Sequence, residues 1–153
     1  MSIIQDLYNI YDKERSKYLA RKSSQNQLLI ELQRNLAFIR EGLREELPQK
    51  TIIDGLDDQQ FRLATRRNVS LAGMQKKKLA KDTYAGIREF DRYEGWETAR
   101  LIENAYERIA MLRKLAHGGE SLDLKPRLRT LFKFLLVVLA HLKGIKLKVP
   151  KSD

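Results

Sequence analysis

The run LFKFLLVVLA at residues 131–140 decides the fold class of this chain. As a helix, it would carry apolar side chains on almost every side, and such a helix is normally buried in the middle of a bundle. Its uninterrupted apolar part, residues 134–140, has only seven residues, whereas a membrane-spanning helix needs roughly 20. The run therefore predicts an all-α helical bundle with a buried apolar C-terminal helix. Pro126 suits the first turn of that helix, and Gly144 suits its end.

The segment before this helix predicts a helical partner for it. Between Gly95 and Ala116, apolar residues recur three and four positions apart, which is the pattern of a helix with one buried face. Gly118 and Gly119 follow, and glycine readily adopts the left-handed conformation that ends many helices. Residues 95–144 are therefore expected to form a helical hairpin.

The N-terminal third carries another apolar stripe and predicts a long helix over residues 1–47. Pro48 ends it, because the residue before a proline is pushed out of the α region. The polar stretch 23–27 would bend or break this helix, so a long helix and a helical hairpin both remain open. An unbroken helix would span roughly 68 Å, which exceeds the width of a compact domain and would leave part of it to project or to pair with another chain.

Residues 57–94 predict a basic helix followed by irregular chain. Asp57, with Gln60 three residues later, matches a capping box, and another short helix is expected around residues 74–81. Residues 145–153 are expected to form a loosely ordered basic tail, which leaves residues 1–144 as a single helical domain. The core expected for this domain comprises Leu28, Leu29, Leu32, Leu36, Ile39, Trp96, Ile102, Tyr106, Ile109, Leu112, Leu131, Leu135, Val138 and Leu139.

The residue types exclude several classes of chemistry. The 153 residues include no cysteine and two histidines, which excludes disulfide scaffolds, Cys-ligated zinc, iron–sulfur clusters and thiol catalysis. No phosphate-binding loop, dinucleotide fingerprint, His-Glu-x-x-His or Gly-x-Ser-x-Gly motif occurs. Glu103 and Glu107 lie one turn apart, but basic neighbours favour ion pairs over a metal site, and His141 in its apolar run favours a packed residue over a ligand. We therefore predict no metal, no cofactor and no membrane span, and the lack of cysteine and of an export signal indicates a cytoplasmic protein.

The positive charge is concentrated in two regions. Lys and Arg number 30 against 20 Asp and Glu, a net charge of +10. Residues 62–81 hold seven basic residues and no acid, and residues 108–148 hold ten against Glu120 and Asp123. Unopposed cations attract polyanions, and their contacts with phosphates are independent of base sequence. The residues predicted to bind nucleic acid are Arg62, Arg66, Arg67, Lys76, Lys77, Lys78, Lys81, Lys125, Arg127, Arg129 and Lys133.

Aromatic residues near the first basic region are expected to be able to stack on unpaired bases. They are Phe61, Tyr84, Phe90, Tyr93 and Trp96. Trp96, at the start of a helix, is expected mainly to anchor the loop on the core. The same cations would also suit an acidic partner protein or simple solvation, so both alternatives remain open.

The segment Arg113-Lys114-Leu115-Ala116-His117 resembles the Arg-x4–6-His motif of the HEPN family of helical-bundle ribonucleases. The likeness covers these five residues and the all-helical class. The resemblance implies that Arg113 and His117 act on RNA phosphates across a dimer. The segment departs from the family pattern, because only three residues separate the pair and Lys114 replaces the polar residue that usually follows the arginine. A histidine at the end of a helix is also typical of a favourable charge at the negative end of the dipole.

Three hypotheses of function follow. The first is a non-enzymatic helical module that binds nucleic-acid phosphates, DNA or RNA, as a small accessory subunit of a larger assembly. The second is a protein–protein adaptor, or a homo-oligomer, that pairs through its long N-terminal helix. The third is a HEPN-like ribonuclease that uses Arg113 and His117.

Overall fold

The computed structural model describes residues 2–14, 23–119 and 121–148 of the chain. Six α-helices lie within them: α1 Ser2–Glu14, α2 Ser23–Arg44, α3 Gln49–Asp54, α4 Gln59–Arg66, α5 Thr98–Ala116 and α6 Lys125–Lys143. Three 3₁₀ helices connect α4 to α5, at Ala72–Met74, Lys81–Tyr84 and Arg88–Tyr93. These described residues contain no β-strand, so the prediction of an all-α helical bundle is confirmed.

The C-terminal helix, α6, lies at the centre of the bundle. Every residue from Phe134 to Lys143 is buried, because α1, α2 and α5 all pack against this helix. Pro126 lies in its first turn, where the missing N–H of proline costs little. Gly144 ends it with a φ of 68°, a left-handed conformation that strains residues with a Cβ. The predicted buried C-terminal helix is therefore confirmed.

The N-terminal segment forms a helical hairpin. The Arg40 guanidinium of α2 lies 4.5 Å from the centroid of the Tyr8 ring of α1, and Ile4 lines the same pocket as Leu47, which follows α2. Because earlier residues of α1 meet later residues of α2, the two helices run antiparallel. Their apolar stripes are used inside the chain, where Ile4 and Leu7 of α1 are 6% and 0% exposed.

The alternative of one unbroken helix over residues 1–47 therefore does not form. Residues 23–27, where the sequence suggested a bend, make up the first turn of α2. The connection between α1 and α2, residues 15–22, lies outside the described residues. Folding back lets both amphipathic helices bury their apolar faces against α6, which one extended helix of that length would not allow.

The start of α4 is capped by a residue of another helix. The capping box predicted from Asp57 and Gln60 is wrong, because the N-cap residue is Asp58 and its side chain accepts no hydrogen bond from the backbone N–H groups of this helix. Instead, the buried carboxylate of Glu31 in α2 accepts hydrogen bonds from the backbone N–H groups of Gln60, at 2.7 Å, and Phe61, at 3.2 Å. This carboxylate satisfies two of the N–H groups that a helix start leaves unpaired.

Neighbouring contacts hold Glu31 and the chain before α4 in place. Tyr106 of α5 donates its hydroxyl proton to Glu31 Oε1 at 2.7 Å, and its ring stacks on Phe61 with the centroids 4.2 Å apart. Burial and the adjacent Glu31 carboxylate raise the pKa of Tyr106 well above its usual range, so its hydroxyl remains a donor. One turn along α2, the amide of Asn35 bonds both the backbone O and N–H of Asp57 at 2.8 Å.

Two other expectations are corrected. The short helix expected around residues 74–81 does not form, since residues 75–80 are non-helical and connect two 3₁₀ helices. The tail expected to be loosely ordered is packed as far as residue 148: Leu147 is buried, and its N–H donates to Thr83 O at 3.0 Å. Residues 149–153 lie outside the described residues.

The predicted core is buried with one exception. Trp96 is partly buried, and the other thirteen residues named from the sequence are buried. The Trp96 indole packs edge-on against Tyr93, with centroids 5.0 Å apart, and the guanidinium of Arg100 covers the indole at 3.6 Å.

Across residues 2–14, 23–119 and 121–148, no helix combines the length and the apolar character that a membrane span requires.

Candidate nucleic-acid interface

The most basic stretch of the chain lies in residues 75–80, here called the lysine loop. Its three consecutive lysines, residues 76–78, are all exposed, whereas Leu79 after them is buried. The backbone of Leu79 bonds in both directions, as its N–H donates to Trp96 O at 3.0 Å and its carbonyl accepts from Gly95 N–H at 2.8 Å. These bonds attach the end of the loop to the segment before α5 and leave the three lysine side chains at the surface.

Gln75 attaches the start of the lysine loop to two helices. Its backbone carbonyl accepts a hydrogen bond from Thr98 Oγ1 of α5 at 2.6 Å, and its side-chain Nε2 donates to the carbonyl of His141 in α6 at 3.3 Å. Gln75 Oε1 also accepts from the backbone N–H of Lys77 at 3.3 Å. One side chain therefore joins α6 to the turn that displays the lysines.

A buried histidine completes this anchor. His141 Nε2 lies 2.8 Å from Thr98 Oγ1. Because the Thr98 hydroxyl gives its proton to Gln75 O, its oxygen accepts here and His141 Nε2 carries the proton. Burial lowers the pKa of His141 to about 4, so the imidazole is neutral near pH 7. His141 is a packed structural residue that helps to hold the lysine loop.

Arginines at the end of α4 lie at the same end of the bundle. Arg66 and Arg67 are exposed. Arg67 lines a small recess together with Ser24, at the start of α2, and the adjacent Gln25 donates its Nε2 proton to Ser70 O at 3.0 Å. The start of α2, the end of α4, the start of α5 and the end of α6 therefore meet around the lysine loop.

The C-terminal tail adds two lysines that sequence reasoning did not single out. Lys146 and Lys148 are exposed, and Leu147 between them is buried. The Lys146 ammonium lies 3.1 Å from the Asp82 carboxylate, and both side chains are exposed. The sequence pattern could have predicted this exposure, because apolar and basic residues alternate at 145–148. In an extended chain, alternate side chains point to opposite sides, so burying the apolar residues exposes the lysines.

We call this cluster the basic end. Lys81 also belongs to it, because Lys81 directly follows the lysine loop and is exposed at the start of the 3₁₀ helix Lys81–Tyr84. The members of the basic end are Arg66, Arg67, Lys76, Lys77, Lys78, Lys81, Lys146 and Lys148. Among the residues that the structure describes, Lys146 is the one member with an ion pair. Arg62, one turn before Arg66, is set apart because the Asp58 carboxylate lies 3.1 Å from its guanidinium. The basic end is therefore a surface of largely unopposed positive charge.

The second predicted basic region does not join the basic end. It lies at the start of α6, and the 19 residues of that helix span roughly 28 Å, more than three Debye lengths at physiological salt. Its members also separate: Lys125 and Arg129 line a pocket beside α1 and α2, Arg127 lines another beside α5, and Lys133 pairs with Glu89 at 3.4 Å. The two basic regions of the sequence therefore form two distinct surfaces.

The aromatic residues expected to stack on bases are used inside the protein. Those that are buried are Tyr84, Phe90 and Tyr93. Phe61 is stacked on a tyrosine of α5, and Trp96 is covered on one face by an arginine. Ring stacking is therefore a poor basis for recognition here, and contact with a nucleic acid would depend on phosphates.

Arg113 and His117 both contact the chain around α3. Arg113 bonds to the carbonyl of Leu56 and lies 3.1 Å from Asp58 Oδ2. His117 Nε2 lies 2.8 Å from Asp54 Oδ1. These contacts join the end of α5 to the end of α3 and to the segment between α3 and α4, and they account for both side chains as structural links.

Among the described residues, no three His, Asp or Glu side chains are grouped so that they would hold a metal ion. Comparisons with protein-family models, with curated proteins and with solved structures give no match. Function is therefore inferred from the geometry and charge of the basic end.

Proposed function

We propose that this protein is a non-enzymatic module that binds the phosphates of DNA or RNA through the basic end. The observation that carries the proposal is the meeting of exposed cations from α4, the lysine loop and the tail at one end of the bundle. Within the described residues, a single ion pair offsets them. Such a surface produces the positive potential that attracts a polyanion.

The chemistry of the cluster favours binding that ignores base sequence. Most of its members are lysines, whose ammonium groups are mobile point charges on flexible stems, suited to contacts without fixed geometry. Neutralising phosphates releases counterions, which makes the affinity fall steeply as salt rises. Because the nearby rings are used in packing, discrimination through base stacking is not expected.

No comparable observation favours the other hypotheses. An adaptor would use the apolar stripes of α1 and α2, and these pack inside the chain. The ribonuclease would use Arg113 and His117, and both contact carboxylates of their own chain. Pairing through the N-terminal helix, RNA cleavage and membership of a larger assembly stay predictions from the sequence.

Fluorescence anisotropy with labelled single-stranded and double-stranded oligonucleotides tests the proposal. The logarithm of the affinity should fall linearly with the logarithm of the salt concentration, by about 0.9 per phosphate contacted in a duplex and about 0.7 in a single strand. Affinity at background in about 50 mM salt would refute the proposal, because electrostatic binding is strong under those conditions.

A matched pair of triple variants locates the contact. Lys76→Gln, Lys77→Gln and Lys78→Gln together should weaken binding and reduce the salt slope by roughly 2 to 3. The control combines Lys50→Gln, Lys114→Gln and Arg127→Gln, which are also exposed and remove the same charge at the opposite end. Equal losses in the two triple variants would show that net charge alone, and not the basic end, causes binding.

A further inference from the structure

We propose that the pocket between α1, the end of α2 and the start of α6 binds a small organic anion that carries an apolar group beside its phosphate or carboxylate. The pocket has a volume of about 350 Å³, and small-molecule sites measure roughly 300 to 1,000 Å³. It lies at the opposite end of the bundle from the basic end, so this proposal is independent of nucleic-acid binding.

The lining of this pocket is amphipathic. Its apolar side chains are Ile4, Leu43, Leu47 and Phe132, and its basic side chains are Arg40, Arg44, Lys125 and Arg129. Glu46 is the carboxylate in the same lining. Hydrophobic walls beside convergent charges suit a ligand that has an apolar body and an anionic head, since each part then leaves water for a matching surface.

Two of the four cations of the pocket, both on α6, have no ion-pair partner among the described residues. Glu41 lies 3.0 Å from the Arg40 guanidinium and 2.7 Å from that of Arg44, and Glu45 Oε1 lies 3.6 Å from Arg44 Nε, so two carboxylates offset these two arginines. Lys125 and Arg129 stand one turn apart on α6, and neither forms an ion pair within the described residues. Like charges at this spacing repel each other on a helix, and an anion bound between them would relieve that repulsion.

Arg40 is held ready for such a ligand. Its guanidinium stacks on Tyr8, with 4.5 Å from Cζ to the ring centroid, and Tyr8 stacks in turn on Phe132 with centroids 6.1 Å apart. Arg40 lines the pocket with a guanidinium that these rings already position, so an anionic oxygen bound there would meet a pre-oriented donor.

The shape and lining favour a small molecule over a nucleic-acid strand. A strand binds through a row of phosphates on an exposed surface and would leave the apolar walls of the pocket without a partner. A compact amphiphile covers both the walls and the cations. A carboxylate and a phosphate head share this chemistry, so the experiment has one probe for each.

Fluorescence titration with 8-anilinonaphthalene-1-sulfonate, an aromatic anion, tests the pocket. We expect saturable binding at one site and displacement by decanoate or by octyl phosphate, with the stronger competitor identifying the head group. Inorganic phosphate and neutral decanol should compete far more weakly. Inorganic phosphate carries the anionic group without an apolar chain, and decanol carries the apolar chain without a charge. Binding that does not saturate, or equal competition by inorganic phosphate, would overturn the proposal.

Substitutions at two positions of α6 test whether the fluorescent probe binds in this pocket. Arg129→Glu should weaken binding about tenfold or more, since hydrogen bonds to charged groups are the stronger class, and Arg129→Gln should weaken it less. Arg127→Glu is the matched control, because Arg127 carries the same charge, is exposed and lies outside this pocket. Circular dichroism checks that each variant is folded. If the charge-reversal variant Arg129→Glu does not fold, Arg129→Gln provides the comparison with the parent protein.

Two outcomes contradict the assignment. Equal losses in Arg129→Glu and Arg127→Glu would show that overall charge, and not the pocket, holds the probe. Displacement of the probe by an oligonucleotide, with the same dependence on Arg129, would assign the pocket to nucleic acid instead.

Discussion

Replacing Glu31 with alanine should destabilise the protein more than any surface change. The side chain is 5% exposed and accepts three hydrogen bonds, two from the start of α4 and one from Tyr106. Losing a helix cap costs about 1 kcal/mol, and a buried hydroxyl without an acceptor costs about 1 to 3 kcal/mol. With the lost methylene at about 0.8 kcal/mol, we expect a total of roughly 3 to 5 kcal/mol.

Urea unfolding followed by circular dichroism measures this effect. Whole domains are stable by roughly 5 to 15 kcal/mol, so the Glu31→Ala variant should unfold at a much lower urea concentration. Glu103→Ala is the control, because Glu103 is an exposed residue of α5 and such surface changes stay within about 0.5 kcal/mol. A loss below about 1 kcal/mol for Glu31→Ala would refute the assignment of the cap.

A double-mutant cycle tests the link to α5. Tyr106→Phe removes the hydroxyl alone and should cost about 1 to 2 kcal/mol, and Glu31→Gln keeps the shape but removes the charge. Because the two groups share a 2.7 Å hydrogen bond, the double variant should lose less than the sum, with a coupling of roughly 0.5 to 3 kcal/mol. Strict additivity would show that the two side chains act independently.

Three further predictions concern single residues. The pKa of His141 is about 4 in the folded protein and about 6.5 in an unfolded chain. Between these pH values the unfolded state therefore binds one more proton than the folded state. The free energy of unfolding should fall as the pH drops from 6.5 to 4, by up to about 1.4 kcal/mol per pH unit. Urea unfolding at several pH values measures the slope, and His141→Gln should flatten it; an unchanged slope contradicts the assignment. His117→Ala should cost less than about 1 kcal/mol, since the contact of its Nε2 with Asp54 is half-exposed and exposed polar contacts contribute little. An RNA substrate incubated with the parent or the variant should stay equally intact, and cleavage by the parent alone would revive the ribonuclease hypothesis. Gly144→Ala should destabilise the protein by about 1 kcal/mol, because its φ of 68° strains a residue with a Cβ. Nothing lies within 4 Å of the added Cβ, so no steric clash contributes. The effect is measured as a lower Tm, and an unchanged Tm would argue against that backbone strain.

Most of the helical architecture was predictable from local patterns. The apolar spacing in α5 and the apolar run in α6 predicted both helices, and thirteen of the fourteen core residues named from the sequence are buried. Helical periodicity is a property of neighbouring residues, so it is readable without the fold. The same reasoning failed at the start of α4, because the capping carboxylate, Glu31, lies 29 residues earlier in the chain.

The candidate site was predictable only in part. The lysines at 76–78 and the arginines at 66–67 were named from their charge alone, and the structure places both groups at one end. The tail lysines were missed, and the cations at the start of α6, named as a second basic region, lie on a separate surface. Charge along a sequence does not reveal distance in space, which depends on how the helices pack.

By itself, the sequence determined that this chain folds as a helical bundle around α6 and that it carries excess positive charge. Helical periodicity depends on residues that are close together in the sequence, and net charge is a sum over all residues, so neither requires knowledge of the fold. Only the tertiary structure decided that the N-terminal segment folds back on itself, that three separate segments form the basic end, and that a cationic pocket opens roughly 28 Å away. These features depend on contacts between residues far apart in sequence, such as Gln75 with Thr98 and His141, and no local pattern encodes such contacts.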